Sequence, residues 1–363
     1  MDRRKFITGA GLAGVAGIIH ASAPPAVHAQ KRVRWKMVTT WGPGAPGVGE
    51  AAALISRRVK ELTSGKFQIK IYGAGQLVPA LGIFDAVTKG TAELGHSASY
   101  YWAGKVPAAQ FFAAVPWGMN PQQVNAWLTN GNGQKLWDEV YKPFGIFSLP
   151  AGNTGIQMGG WLKKEITTVA QFKGLKMRIP GLGGKAIARM GANVVLLPGV
   201  EVFTALERGT IDGTEWIGPF HDKLKGLHQA AKFYYYPGWH EPGTVLEMPV
   251  NIKAHEKLPK DYQVALRVAA AEANLWTLGR FDSANGSALN ELVTKHGVKL
   301  RRWSDELLKG FYKASQDVYA DLSGKDKASA KVLKDYQTFQ KNVDGVAKIA
   351  DAAYLSARAV VGA

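Results

Sequence analysis

From Val33 the apolar positions alternate with charged ones: Val33, Trp35 and Met37 fall on one face, Arg34 and Lys36 on the other. That period of two predicts a half-buried strand. Ile55, Val59 and Leu62 then recur at helical spacing up to Gly65, a residue suited to ending a helix, and Phe67, Ile69 and Ile71 restore the two-residue period at once. Strand, helix and strand in that order make a βαβ unit, which implies a parallel sheet.

An internal repeat extends the pattern. Phe84-x-Ala86-Val87-x-Lys89-Gly90-Thr91-Ala92-Glu93 recurs 119 residues later as Phe203-x-Ala205-Leu206-x-Arg208-Gly209-Thr210-Ile211-Asp212. Each copy predicts a short helix stopped by glycine and followed by a strand. Two copies in matching contexts predict an α/β protein of two similar lobes with mixed sheets, and facing lobes form a cleft, the usual place for a ligand. Asp261–His296 is helical in composition, Val298–Leu300 is a short strand, Ser304 caps an amphipathic run with Leu307, Leu308 and Phe311, and the tail from Lys325 to Val360 is helical. The expected division is 30–152 with about 245–275 in lobe I, 153–244 with about 276–310 in lobe II, and C-terminal helices over 311–363. Those last helices either brace the lobes or supply a homodimer contact, and the sequence chooses neither.

The amino terminus departs from this pattern. Arg3-Arg4-Lys5 precedes an uncharged run from Gly9 to Ile19, and Val27-His28-Ala29 offers small residues at the −3 and −1 positions of a cleavage site. Residues 1–29 are therefore an expected twin-arginine export signal, too short in its apolar part to span a bilayer. The expected location is the periplasm. Cysteine is absent, so the exported chain must hold together by core burial, for which roughly 330 residues suffice. Without the leader, 42 basic residues face 27 acidic ones, a net charge of +15. The basic residues are scattered, with pairs such as Arg57-Arg58 and Arg301-Arg302 as the longest runs and no nucleic-acid-binding motif, so nucleic acid is not an expected partner.

Several catalytic patterns fail. Gly9-Ala10-Gly11-Leu12-Ala13-Gly14 fits a dinucleotide template but lies in the leader, Gly183-Gly184-Lys185-Ala186 lacks the hydroxyl residue of a phosphate loop, and His255-Glu256 has no second metal histidine behind it. A different constellation lies between residues 150 and 245. Asn153-Thr154-Gly155-Ile156-Gln157 runs through a glycine-rich stretch, and Arg178 sits at a strand end before Pro180 and Gly181. The planar fork of Arg178 matches a carboxylate bidentately, although pairing with a structural acid explains it equally well. Glu215, Glu241 and Gln157 would offer oxygen ligands to a hard cation, sodium or calcium. Trp216 adds an indole beside Glu215, Tyr234 and Tyr235 look like core filling, and the first lobe would contribute His96 and Tyr100 from the strand end of its own repeat copy.

These residues closely resemble one family, the substrate-binding proteins of tripartite ATP-independent periplasmic (TRAP) transporters, and within it the group that binds α-keto acids. The resemblance covers nearly all of the chain after the leader. Its matching stretches are Gly73–Pro79, Asn153–Trp161, Leu175–Arg178, Thr214–Pro219 and Tyr234–Trp239. It implies a periplasmic receptor, not an enzyme, that closes on a small 2-oxo or 2-hydroxy monocarboxylate and delivers it to TRAP membrane permease subunits. It further implies Arg178 as the carboxylate clamp, Asn153 and Tyr100 as polar contacts, and a bridging ion held by Gln157, Glu215, the Trp216 carbonyl and Glu241. The segment Gly238-Trp239-His240-Glu241-Pro242 departs from the family pattern by its histidine and proline. An exported enzyme using Glu215 and Glu241 as an acid/base pair, and a receptor feeding a sensor, remain the alternatives. Aromatic residues near the cleft, Tyr100, Trp216 and Trp239, suit either pyruvate behind a tight wall or a larger keto acid in an opened one.

Overall fold

The computed structural model describes residues 32–362, so the leader expected over 1–29 lies outside the described residues. Eleven strands appear among them: β1 (Val33–Thr39), β2 (Phe67–Tyr72), β3 (Leu94–His96), β4 (Ile146–Asn153), β5 (Gly160–Leu162), β6 (Lys176–Arg178), β7 (Asn193–Val195), β8 (Gly213–Thr214), β9 (Phe233–Tyr236), β10 (Val245–Asn251) and β11 (Lys299–Arg302). They form two mixed sheets, ordered β2-β1-β3-β10-β4 and β11-β9-β5-β8-β6-β7.

The predicted βαβ unit opens the first sheet. β1 pairs parallel with β2, Val33 opposite Phe67, and the helix Val48–Leu62 between them buries Leu54, Ile55 and Val59 against the sheet. Gly65 stands in the left-handed region with its N–H on the Lys60 carbonyl, ending the helix as its position predicts. Both repeat copies take one form: helix Ile83–Thr88, left-handed Gly90 and β3 in the first sheet; helix Val202–Glu207, left-handed Gly209 and β8 in the second. Each copy then leads its strand to the side where the sheets face.

The chain passes between the sheets three times. It crosses from β4 to β5 through residues 154–159, returns from β9 to β10 through 237–244, and crosses again along the helix Lys260–Thr294. Tyr262, Leu266, Ala269 and Ala273 of that helix pack with the first sheet, whereas Phe281 and Leu292 join Trp161, Tyr234 and Val298 around the second. The C-terminal helices strap both lobes. Helix Asp305–Lys325, capped by Ser304 as predicted, packs on helix Gly181–Arg189 of the second lobe. Helix Lys327–Ala347 packs on helices Pro121–Asn130 and Gly133–Tyr141 of the first. Among the described residues no helix is long and apolar enough to cross a membrane.

Candidate functional site

The strand ends and crossovers converge. β3 leads into the turn Ser99–Trp102, which presents Tyr100 and Tyr101, while β6 ends on Arg178, paired in register with Thr214 of β8. Glu215 and Trp216 follow directly, and the two crossovers supply Gln157 and Glu241. Trp41, Tyr100, Tyr101, Gln157, Arg178 and Trp216 enclose a cavity of about 10 Å³. A space of that size admits roughly one water, so a carboxylic acid enters only as the walls separate. Beyond the Tyr100 and Tyr101 rings, set edge to face at 4.7 Å, an open cavity of about 280 Å³ is lined by Gln110, Pro180 and Lys185.

Arg178 is buried and half committed. Its Nη1 donates to Glu215 Oε1 at 2.6 Å and its Nε to the Leu197 carbonyl at 3.3 Å, while Nη2 has no hydrogen-bond partner. The guanidinium also lies 5.1 Å from the centre of the Trp216 ring, and the Lys225 ammonium lies 4.3 Å from the same ring. Trp216 Nε1 donates to His221 Nδ1, and burial holds His221 down to about 3, keeping that nitrogen an acceptor. Behind the indole, a Cβ on Gly199 would stand 2.1 Å from the ring, so only glycine lets Trp216 sit where it does.

The crossovers are tied to each other. Gln157 N donates to the Glu241 carbonyl at 3.1 Å, and Gln157 Nε2 donates to Glu241 Oε2 at 2.8 Å and to the hydroxyls of Thr154 and Thr244. Thr244 Oγ1 donates to the same Glu241 oxygen at 2.6 Å. These donations orient the amide, leaving Gln157 Oε1 buried without a partner. Burial first, then the charge of Glu215, push the Glu241 carboxyl well above its usual range. Burial and the same two carboxylates push the Tyr100 phenol up, so it stays a donor.

Six buried atoms of this cluster lack hydrogen-bond partners. Asn153 Nδ2 and Arg178 Nη2 donate, Gln157 Oε1 and Glu215 Oε2 accept, and both His240 ring nitrogens complete the set. Each such atom costs about 1–3 kcal/mol unless something meets it. The donors suit a carboxylate, and the acceptor oxygens suit a hard cation. Ligand atoms of Glu215, His240 and Glu241 lie within 4.8 Å of one another.

Two expected residues stand elsewhere. His96 accepts from Trp41 Nε1 at 2.7 Å through Nδ1 and meets the Ala151 carbonyl at 3.0 Å through Nε2, so both nitrogens are used and it props the cavity wall instead of lining it. Trp239 stacks on Phe311 at 4.4 Å in the core, away from the cavity. Asn153, the last residue of β4, spends Oδ1 on the Gly155 N–H and keeps Nδ2 unpaired. Trp41, Tyr101 and Lys225 were not expected. Tyr101 was signalled by the tyrosine pair in which it stands, whereas Trp41 and Lys225 carry no local signal.

Residues 37–326 match the family of bacterial extracellular solute-binding proteins, family 7. The chain belongs to that family. This family 7 protein is 47% identical over 311 residues to a monocarboxylate 2-oxoacid-binding periplasmic protein of Nostoc sp., covering 86% of this chain and 85% of the relative. A TRAP periplasmic solute-binding protein from Pseudoalteromonas atlantica with bound sodium and pyruvate superposes with a TM-score of 0.87 at 43% identity, over 90% of this chain and 99% of that one. A TRAP transporter solute-binding protein from Bordetella bronchiseptica, a mixed-occupancy dimer with calcium and picolinate, superposes with a TM-score of 0.89 at 36% identity, over 92% and 100%.

Proposed function

We propose that this family 7 protein is a periplasmic receptor for 2-oxo or 2-hydroxy monocarboxylates such as pyruvate, bound together with a sodium or calcium ion. The observation that carries the reading is the sorting of unpaired buried atoms by sign. Arg178 Nη2 and Asn153 Nδ2, with the Tyr100 hydroxyl, take the carboxylate, while Gln157 Oε1, Glu215 Oε2, Glu241 and the Trp216 carbonyl hold the ion, and the Trp216 ring closes the site. The bound ion supplies positive charge that bridges the ligand to the protein.

Charge counting makes acid and cation interdependent. With both carboxylates ionised to hold the ion, Glu215 and Glu241 against Arg178 leave one buried negative charge, and a monocarboxylate makes two. A divalent ion cancels both and sodium one, so the acid should bind poorly where no cation is present. Each of the two crossovers carries one of the ion's residues, so holding the ion also fixes the hinge.

No bond is made or broken in this reading. Glu215 and Glu241 are tied to Arg178, Gln157 and Thr244, leaving neither placed as the acid/base pair of an enzyme. The natural consumer is a TRAP permease. The lobes divide as the chain pattern suggests, 30–152 with about 245–275 against 153–244 with about 276–310. A second copy covers the C-terminal helical end of the chain, where Val346, near the end of the helix Lys327–Ala347, and Ile349, Tyr354 and Leu355 beyond it are exposed, in keeping with the dimeric Bordetella relative.

Calorimetry with pyruvate, before and after chelator treatment and transfer to sodium-free buffer, tests the reading. Affinity should fall at least about tenfold without cations, a coupling of about 1.4 kcal/mol. Undiminished affinity after complete cation removal would show the bridge to be wrong, and mass spectrometry should return the acid unchanged.

A further inference from the structure

His240 has no part in the site just described, yet it stands inside it. Its side chain is 1% exposed, neither ring nitrogen has a hydrogen-bond partner, and Nε2 lies 3.5 Å from Glu215 Oε2, itself unpaired. The ring is held in place: a Cβ on Gly183 would come within 2.7 Å of the His240 Cβ, and the Trp239 ring meets the imidazole edge to face at 5.5 Å. An imidazole that only filled space would leave an N–H and a lone pair buried without return, about 1–3 kcal/mol each.

The spacing is that of ligands sharing one ion. Two atoms bound at about 2.1 Å stand about 3.4 Å apart around a tetrahedral ion and about 3.0 Å apart around an octahedral one. We infer that His240 Nε2 is a nitrogen ligand of the cleft cation, so that this receptor accepts borderline divalent ions of the cobalt and zinc class as well as sodium or calcium. This rests on the cation reading above. The physical reason is ligand softness: all-oxygen sites suit sodium and calcium, and one imidazole among carboxylates shifts preference toward cobalt, nickel and zinc. The charge argument points the same way, since a divalent ion neutralises the two carboxylates, Arg178 and a bound monocarboxylate together.

The test titrates the full exported chain, stripped of metal, with Co²⁺ alone and with Ca²⁺ alone, following heat and the visible absorption of cobalt. Unmodified protein should bind Co²⁺ more tightly than Ca²⁺, at one site from which excess Ca²⁺ displaces it. In His240→Gln, Co²⁺ should bind at least about tenfold more weakly and its visible spectrum should change, while Ca²⁺ affinity stays within about threefold. His240→Asn serves should the first variant fold poorly, and Co²⁺ against Ca²⁺ in the unmodified chain needs no substitution. Co²⁺ affinity and spectrum unchanged in the variants, with Ca²⁺ still linked to pyruvate, would overturn the inference and leave the cation reading standing. Failure of both Co²⁺ and Ca²⁺ to bind the unmodified chain would overturn the inference, and pyruvate affinity that also survives removal of sodium would remove the cation reading with it.

Discussion

Two buried acidic sites lie a few residues apart in the second lobe and are built on opposite terms. Asp222 accepts from Trp161 Nε1 at 2.9 Å, the Tyr234 hydroxyl at 2.7 Å, and the Ile217 and Gly218 amides at 3.1 and 3.2 Å. Burial lifts it only to about 6, because those donors favour the charged form. Glu215, seven residues earlier, keeps one oxygen unpaired next to Gln157 and His240 atoms in the same state. Depth does not separate them. A carboxylate whose lone pairs are all answered by its own chain is structural, and one left partly unanswered is held open for something from outside.

The largest break in that contrast is Arg178→Met. With the ligand's charge buried unpaired, pyruvate binding should weaken by about 3 kcal/mol or more while the protein remains folded, measured by calorimetry alongside thermal unfolding. Asp222→Asn should do the reverse. An amide cannot accept from four donors, so stability should drop by about 2–3 kcal/mol in denaturant titrations with affinity nearly unchanged. Glu247 of β10 offers a third case, held by Ser148 Oγ at 2.6 Å and Tyr141 at 3.2 Å and raised by burial to about 8. Between the ordinary carboxyl value and 8 the folded chain holds a proton that the unfolded chain has released, so this residue's contribution is full at low pH and is lost as pH rises. Glu247→Gln should add about 2 kcal/mol at pH 8, less at pH 5, and leave binding alone. Glu241→Gln sharpens the contrast most narrowly: relieved of a carboxyl that burial and Glu215 make costly to ionise, the ligand-free protein should gain about 1 kcal/mol while the cation dependence of pyruvate binding fades.

Much of this architecture was legible. Repeat copies, glycine stops and Ser304 are local signals, and the structure honours each. Arg178, Gln157, Glu215 and Glu241 stood out as polar types at strand ends or beside glycines. What stayed hidden was partnership. Arg178 meets Glu215 across 37 residues and Gln157 meets Glu241 across 84, and nothing within a few residues of either encodes the pairing. The same limit explains His96, whose two partners lie 55 residues away in opposite directions, and Lys225, whose target Trp216 is nine residues back, before the short helix Pro219–Leu224.

The helix Lys260–Thr294 adds one consequence of its own. Thirty-five residues at about 1.5 Å each make a rod of about 52 Å, rooted by Ala273 in one lobe and by Phe281 in the other. Between those anchors lies Gly279, with open space where a side chain would be. A hydrogen-bonded rod bends far more readily than it stretches, and glycine softens it locally. Bending there would let the lobes swing without drifting apart, and release of cargo would become an arc of limited travel set by about two turns of helix between the anchors.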